Sequence, residues 1–231
     1  MTEQPDALMI FAAGFGTRMG ALTATRPKPL IEVAGKALLD HALDLAGDVA
    51  PTRLVVNAHY KAEMVRDHLA GREVTVLHEV PEILDTGGGL KAALPHLGRE
   101  PVFTLNSDAI WAGPNPLADL ARHWRPEEMD ALMLLIPSGR AHGREGPGDF
   151  TLAPDGSLIR GGDLVYSGAQ IIRTEGLAEI PEQVFSLNRL WDWLAEAGRL
   201  KGMVYDGHWC DVGHPGGIAE AEALLKRGPH V

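Results

Sequence analysis

The chain has 231 residues, 45% of them hydrophobic and 23% charged, the balance of an ordinary globular chain long enough to bury a core. Its formal net charge of -10 excludes general affinity for nucleic acid, so any affinity for phosphate must be local. A lone cysteine, Cys210, excludes an internal disulfide, no apolar run approaches the ~20 residues of a membrane span, and the acidic start Met1–Asp6 is no signal peptide, so the expected location is the cytoplasm.

Apolar runs alternate with helical patterns, which predicts an α/β chain: a Rossmann-like three-layer sandwich around a mostly parallel central sheet. The first strand, Ala7 to Ala12, runs into Ala13-Gly14-Phe15-Gly16-Thr17-Arg18-Met19, and Arg26-Pro27-Lys28-Pro29-Leu30 follows. Small residues at Gly14 and Gly16 let backbone N–H groups approach an anion. Arg18 and Lys28 supply cations, and the flanking prolines stiffen the backbone around Lys28. A dinucleotide fingerprint does not fit, because Gly20 comes one place late and no acidic residue ends the second strand. A P-loop does not fit either, for want of Gly-Lys-Ser or Gly-Lys-Thr.

Further along, a helix is expected over Leu38–Ala46, a strand at Leu54–Val56, a helix over Lys61–Leu69 and a strand at Val74–Leu77. Asp85-Thr86-Gly87-Gly88-Gly89 reads as a capped, glycine-rich helix start, with the helix ending near Leu94. The fourth strand, Val102–Leu105, ends at Asn106-Ser107-Asp108, where Asp108 is either a turn residue or a hard oxygen ligand for a divalent cation. A helix over Ala118–His123 and a strand at Leu132–Ile136 follow. Residues 137–162 are rich in glycine, proline, arginine and aspartate, with Phe150-Thr151-Leu152 the one strand-like piece, and predict a lobe of loops and short antiparallel strands above the sheet, in which His142-Gly143-Arg144 stands out. The remaining elements are a strand at Val165–Ile172, a helix at Leu187–Ala197, a strand at Met203–Tyr205 and a helix at Gly217–Lys226. With no linker evident, residues 1–231 read as one domain carrying that lobe, to about residue 170, and a monomer with no protein partner is the default. Ligands of open α/β sheets sit beyond the strands' carboxyl ends, so the loops at Gly14, Asn57, Glu79, Asn106 and Ser138 should share one cleft.

The opening motif and the downstream Pro27-Lys28-Pro29 resemble the sugar-1-phosphate nucleotidyltransferase family, with Phe11 where its members usually have leucine, and the likeness extends from Leu8 to Leu225. That resemblance implies a nucleotide-diphospho-sugar transferase fold and a Mg²⁺-dependent reaction between a nucleoside triphosphate and a sugar 1-phosphate, with pyrophosphate leaving. Some members continue into a left-handed β-helix, which is not expected here. The resemblance implies that Ala12, Ala13, Gly14, Gly16 and Thr17 hold the triphosphate, with Arg18 and Lys28 as catalytic cations. It places Gly87 and Gly88 against the nucleobase, with Asn57 and Glu79 as weaker candidates there. Asn106 and Asp149 would contact the sugar; Gly168, next to Ser167, adds a sugar contact on its own account, because a glycine within a strand signals close approach of a ligand. Asp108 and Asp211 would be the metal ligands, Asp211 through the pattern Trp209-Cys210-Asp211-Val212-Gly213. A zinc reading of His208 and His214 lacks supporting ligand spacing. The chain lacks the Glu-Lys-Pro segment of hexose-specific members, and Gly148-Asp149-Phe150 instead resembles uridylyltransferases acting on N-acetylmuramate α-1-phosphate in cell-wall recycling. Guanylyltransfer to mannose or heptose 1-phosphate, or a non-catalytic nucleotide-binding regulator, are the alternatives.

Overall fold

The computed structural model describes residues 4–98 and 101–227. In chain order the elements are β1 (Ala7–Phe11), α1 (Leu22–Thr25), β2 (Glu32–Val33), β3 (Lys36–Ala37), α2 (Leu38–Leu45), β4 (Arg53–Ala58), α3 (Ala62–His68), β5 (Thr75–His78) and α4 (Asp85–Leu97). Next come β6 (Val102–Asn106), β7 (Ala109–Ala112), α5 (Pro116–His123), β8 (Ala131–Pro137), β9 (Ala141–His142), β10 (Gly148–Leu152) and β11 (Leu158–Gly162). The chain closes with β12 (Leu164–Ile172), α6 (Asn188–Glu196), β13 (Leu200–Val204), β14 (His208–Asp211) and α7 (Pro215–Arg227).

The fold is mixed α/β with a mostly parallel central sheet. β5, β4, β1 and β6 lie side by side and parallel. β12 enters antiparallel beside β6, and β8 and β13 restore the original direction beyond it. The alternation of β1 shows why this sheet needs helices on both faces. Leu8 and Ile10 join a core with Leu39 and Ala42 of α2, Val65 of α3 and Leu120 of α5. Ala7 and Met9 point the other way, into a core with Leu90 and Leu97 of α4 and Trp191 of α6. These four side chains are fully buried, each large one contributing ~1.5–3 kcal/mol of hydrophobic stabilisation.

The lobe after residue 137 carries the expected short antiparallel strands: β10 and β11 form an antiparallel ribbon that hangs from the start of β12. Several other expectations change in detail. β7, β14 and β9 build a separate three-stranded sheet that the sequence did not announce, because four-residue strands of mixed burial carry no readable period. β13 starts at Leu200, ahead of the expected Met203, since Lys201 and Gly202 mask the pattern. Gly202 is there for packing: a Cβ on it would lie 2.6 Å from Leu158 Cδ2. Helix α4 runs past Leu94 to Leu97 despite Pro95, because Leu97 is fully buried and anchors the final turn.

Candidate active site

The carboxyl ends of β1, β4 and β6 open onto a cleft of three adjoining compartments of about 640, 360 and 260 Å³. Asn106, the last residue of β6, lines all three. Asp108 is shared by the largest and the smallest, and Arg144 by the two larger ones. The ends of β1 and β6 are tied together by Ser107, whose Oγ donates to the Phe11 carbonyl at 2.7 Å.

The turn after β1 is held from below. Ala12 and Ala13 are buried, and the Ala12 N–H donates to Asn57 Oδ1 at 2.8 Å. Beyond them Gly14, Phe15, Thr17 and Arg18 are exposed, and no acceptor among the described residues takes the amides of Ala13, Gly14, Phe15 or Gly16. Four consecutive open N–H groups at a cleft mouth suit an anion. Gly16 has a φ of 63°, and a Cβ on it would lie 2.8 Å from the Cβ of Lys28. The turn therefore packs directly on the lysine stem. Lys28 is 8% exposed and its Nζ donates to Asp108 Oδ2 at 2.7 Å. Arg18 is the opposite case: its side chain is 69% exposed and its Nη1 stands 4.0 Å from Asp211 Oδ2, at the limit of an ion pair.

Asp108 and Asp211 come from distant parts of the chain but meet here. Asp211 ends β14, opposite Ala109 of β7, and the next amide, Val212 N, donates to the Asp108 carbonyl at 2.9 Å. Asp211 thus ends a strand of the small sheet rather than of the central one. Burial, followed by the nearby charge of Asp108, raises the Asp211 carboxyl above its ordinary value, and Lys28, Arg18 and Arg144 offset this only partly. Two half-buried carboxylates forced together fit a hard divalent cation. No group of three His, Cys, Asp or Glu side chains among the described residues could hold a metal, so any ion here would complete its shell with phosphate oxygens and water. His214 lines the same compartment, whereas His208 packs on His142, with 3.1 Å between Nδ1 and Nε2. Cys210 is fully buried and burial pushes its thiol up to about 12, as suits an inert packing residue.

The glycines at the start of α4 make close contacts within the fold. The amides of Gly87 and Gly88 donate to the Phe185 carbonyl at 2.9 and 3.0 Å, which satisfies the helix end. A Cβ on Gly87 would lie 2.4 Å from the Phe185 ring, and one on Gly88 would lie 2.0 Å from the Gln183 carbonyl oxygen. Both glycines therefore admit the segment before α6; Asp85 and Thr86 are the helix residues that line the cleft. Asn57 and Glu79 line the smallest compartment but are 3% and 2% exposed. Asn57 Nδ2 donates to Glu79 Oε1 at 2.7 Å, and Glu79 Oε2 accepts the Leu84 amide at 2.8 Å, so both side chains brace the floor.

The lobe contributes a clamp. Arg144 Nη1 and Nη2 donate to the two oxygens of Asp149 at 2.7 and 2.8 Å, and Tyr166 N donates to Asp149 Oδ2 at 2.8 Å. Burial would raise the Asp149 carboxyl, but the bonds from Arg144 and Tyr166 hold it below the usual carboxylate range. Gly168 has a φ of 84° and sits in the irregular stretch of β12 between Tyr166 and Gln170. A Cβ on it would lie 2.7 Å from the Asn106 carboxamide carbon, so the glycine lets the Asn106 side chain come close. Ser167 is buried in the sheet and donates to the Leu134 carbonyl at 2.7 Å. Arg144 has no role assignable from the sequence, and Arg160, Tyr166 and Trp191, which also line the middle compartment, escape sequence reasoning altogether. An arginine in a loop-like stretch and aromatics at core spacing carry no local signal of a cleft.

Comparison with known proteins identifies the family. Residues 8–224 match the model of the MobA-like NTP transferase domain. The chain is 42% identical to the N-acetylmuramate alpha-1-phosphate uridylyltransferase of Caulobacter vibrioides, over 97% of this chain and 99% of that protein. It is 33% identical to the protein of that name from Neisseria meningitidis serogroup B, over 94% and 96% of the two chains. In three dimensions it resembles HddC from Yersinia pseudotuberculosis, solved with GMP-PN, with a TM-score of 0.75 at 21% identity over 95% of this chain and 99% of the other. The chain belongs to the MobA-like NTP transferase family, among its nucleotidyltransferases that act on sugar 1-phosphates.

Proposed function

We propose that the cleft transfers a uridylyl group from UTP to N-acetylmuramate α-1-phosphate, giving UDP-N-acetylmuramate and pyrophosphate. The supporting observation is the convergence of the open amide turn, Lys28, Asp108 and Asp211 on one cleft, in a chain similar along its length to uridylyltransferases of that sugar. A phosphate oxygen of the sugar 1-phosphate forms a bond to the α-phosphorus of UTP, and the bond from that phosphorus to the bridging oxygen breaks. The electron pair leaves on pyrophosphate. The nucleophile is already an anion, so no general base is needed; the obstacle is repulsion between two anions.

On this reading the amides from Ala13 to Thr17 cradle the β- and γ-phosphates, and Arg18 follows the charge that builds on the leaving group. Lys28, fixed beneath Gly16, stands between the α-phosphate and the incoming phosphate. Asp108 and Asp211 would hold Mg²⁺, whose charge when bound neutralises the phosphates and aligns them. The smallest compartment takes the uracil and the middle one the sugar, gripped by Asn106, Arg144 and the lobe of one catalytic domain. Asp149 then acts through Arg144. Substrates of this kind place the protein in the cytoplasm. The test is a matrix of four nucleoside triphosphates against several sugar 1-phosphates, read as pyrophosphate released. Preference for UTP with N-acetylmuramate 1-phosphate supports the reading; a preference for GTP with a hexose 1-phosphate, or binding without release, overturns it.

A further inference from the structure

The middle compartment holds a cation that a neutral sugar would not need. Arg144 lies at its inner end, where it also faces the compartment of Asp108 and Asp211. Its charge is matched there by Asp149, which takes both terminal nitrogens. Arg160 lines the middle compartment only, away from the two catalytic carboxylates. It stands opposite Phe150 in the β10–β11 ribbon, with its guanidinium carbon 4.9 Å from the Phe150 ring centre and 5.8 Å from that of Trp191. The two rings fix the guanidinium plane. Its Nε and Nη2 share one oxygen of Asp192, at 3.1 and 2.6 Å, and Asp192 is a 57%-exposed side chain outside the compartment. No acceptor among the described residues takes Nη1. The compartment's remaining carboxylate, Asp85, lies at the border with the smallest compartment and accepts the Thr86 amide at 2.5 Å.

We infer that Arg160 is a specificity-determining residue that selects a sugar 1-phosphate bearing a second anionic group, a carboxylate, at the end of the ring remote from the phosphate. The inference rests on the proposed function for the sugar class. An aromatic-backed guanidinium with a spare N–H suits a planar carboxylate, and its ion pair with an exposed aspartate is easily traded for a ligand oxygen.

The experiment compares N-acetylmuramate 1-phosphate with N-acetylglucosamine 1-phosphate, the same ring without the lactyl carboxylate, in the wild type and Arg160→Gln, Arg160→Lys and Asp192→Asn. The readout is the ratio of kcat/KM for the two sugars. In the wild type the carboxylated sugar is favoured, and in Arg160→Gln the ratio falls by about 20-fold, mainly through KM of that sugar, as loss of a charge-assisted hydrogen bond predicts. Arg160→Lys recovers part of it. Asp192→Asn, which frees the guanidinium at an exposed position, raises the ratio, and reads the idea even if the Arg160 variants fold poorly. A wild-type enzyme indifferent to the carboxylate, a ratio unmoved in Arg160→Gln, or one unmoved in Asp192→Asn overturns the inference. Turnover of both sugars with no preference sinks it while leaving uridylyl transfer intact; turnover of neither with any triphosphate sinks the functional reading itself.

Discussion

Lys28 Nζ lies 2.7 Å from Asp108 Oδ2, while the exposed Arg18 stands 4.0 Å from Asp211, the other carboxylate of the cleft. The two acids therefore sit in opposite electrostatic conditions. Asp108 has a nearly buried cation committed to it; Asp211 is pushed toward its neutral form by burial and by Asp108.

Neutralising each acid should abolish turnover yet move stability in opposite directions. Asp108→Asn leaves Lys28 without its counter-charge and should cost about 1–2 kcal/mol, a buried-pair loss reduced by the partial exposure of Asp108. Asp211→Asn removes a disfavoured charge and should raise the melting temperature of the metal-free protein. Magnesium should then stabilise the wild type but neither variant. Thermal melts with chelator and with Mg²⁺ check this, and retained activity in either variant would refute the metal assignment.

Arg18→Ala should leave stability within about 0.5 kcal/mol, since the side chain is largely solvated and its ion pair is long. Its effect should fall on kcat, by about 100-fold, because a cation at the leaving group acts on charge that develops only in the transition state. Steady-state kinetics beside direct titration of triphosphate separates the two; equal kcat with weakened binding would make Arg18 a simple anchor.

Gly88→Ala tests what the glycines of α4 are for. The added methyl would sit 2.0 Å from the Gln183 carbonyl, a backbone atom that cannot swing away. Overpacking of this kind costs about 1–3 kcal/mol or more. The variant should melt earlier whether or not nucleotide is present. An unchanged melting temperature with weakened nucleotide affinity would instead place the glycine against the base.

What was legible in the sequence follows from how local each signal is. β1 alternates between two buried faces and then breaks into Gly14 and Gly16, so strand, turn and cleft follow from adjacent residues. The run Asp85–Gly89 announced a helix start, but the packing of Gly87 on Phe185 was not legible, because Phe185 is remote in sequence and nothing local names it. Gly168 marks a close approach in a strand, but that the Asn106 side chain lies against it was likewise not legible. Arg160 was invisible because its meaning depends on Phe150 across a ribbon hidden in a glycine-rich stretch. β7 and β14 are short, and the pairing that brings Asp211 to Asp108 exists only once the small sheet has formed.

His142 supplies a pH dependence outside the cleft. Its ring packs on His208, and burial, then the proximity of His208 and Arg227, lower its pKa, with Glu220 opposing. A group whose folded pKa lies below its unfolded value adds stability that is fully present above the unfolded value, 6.5 for this ring, and is lost as pH falls through the folded one. The wild type should therefore melt progressively earlier as pH drops from neutrality through the histidine range. His142→Gln keeps a polar side chain without the titration and should flatten that slope. Melting curves across the range check it: parallel slopes for the two proteins would show that His142 takes up its proton as readily folded as unfolded, and that the stacked pair with His208 carries no electrostatic cost.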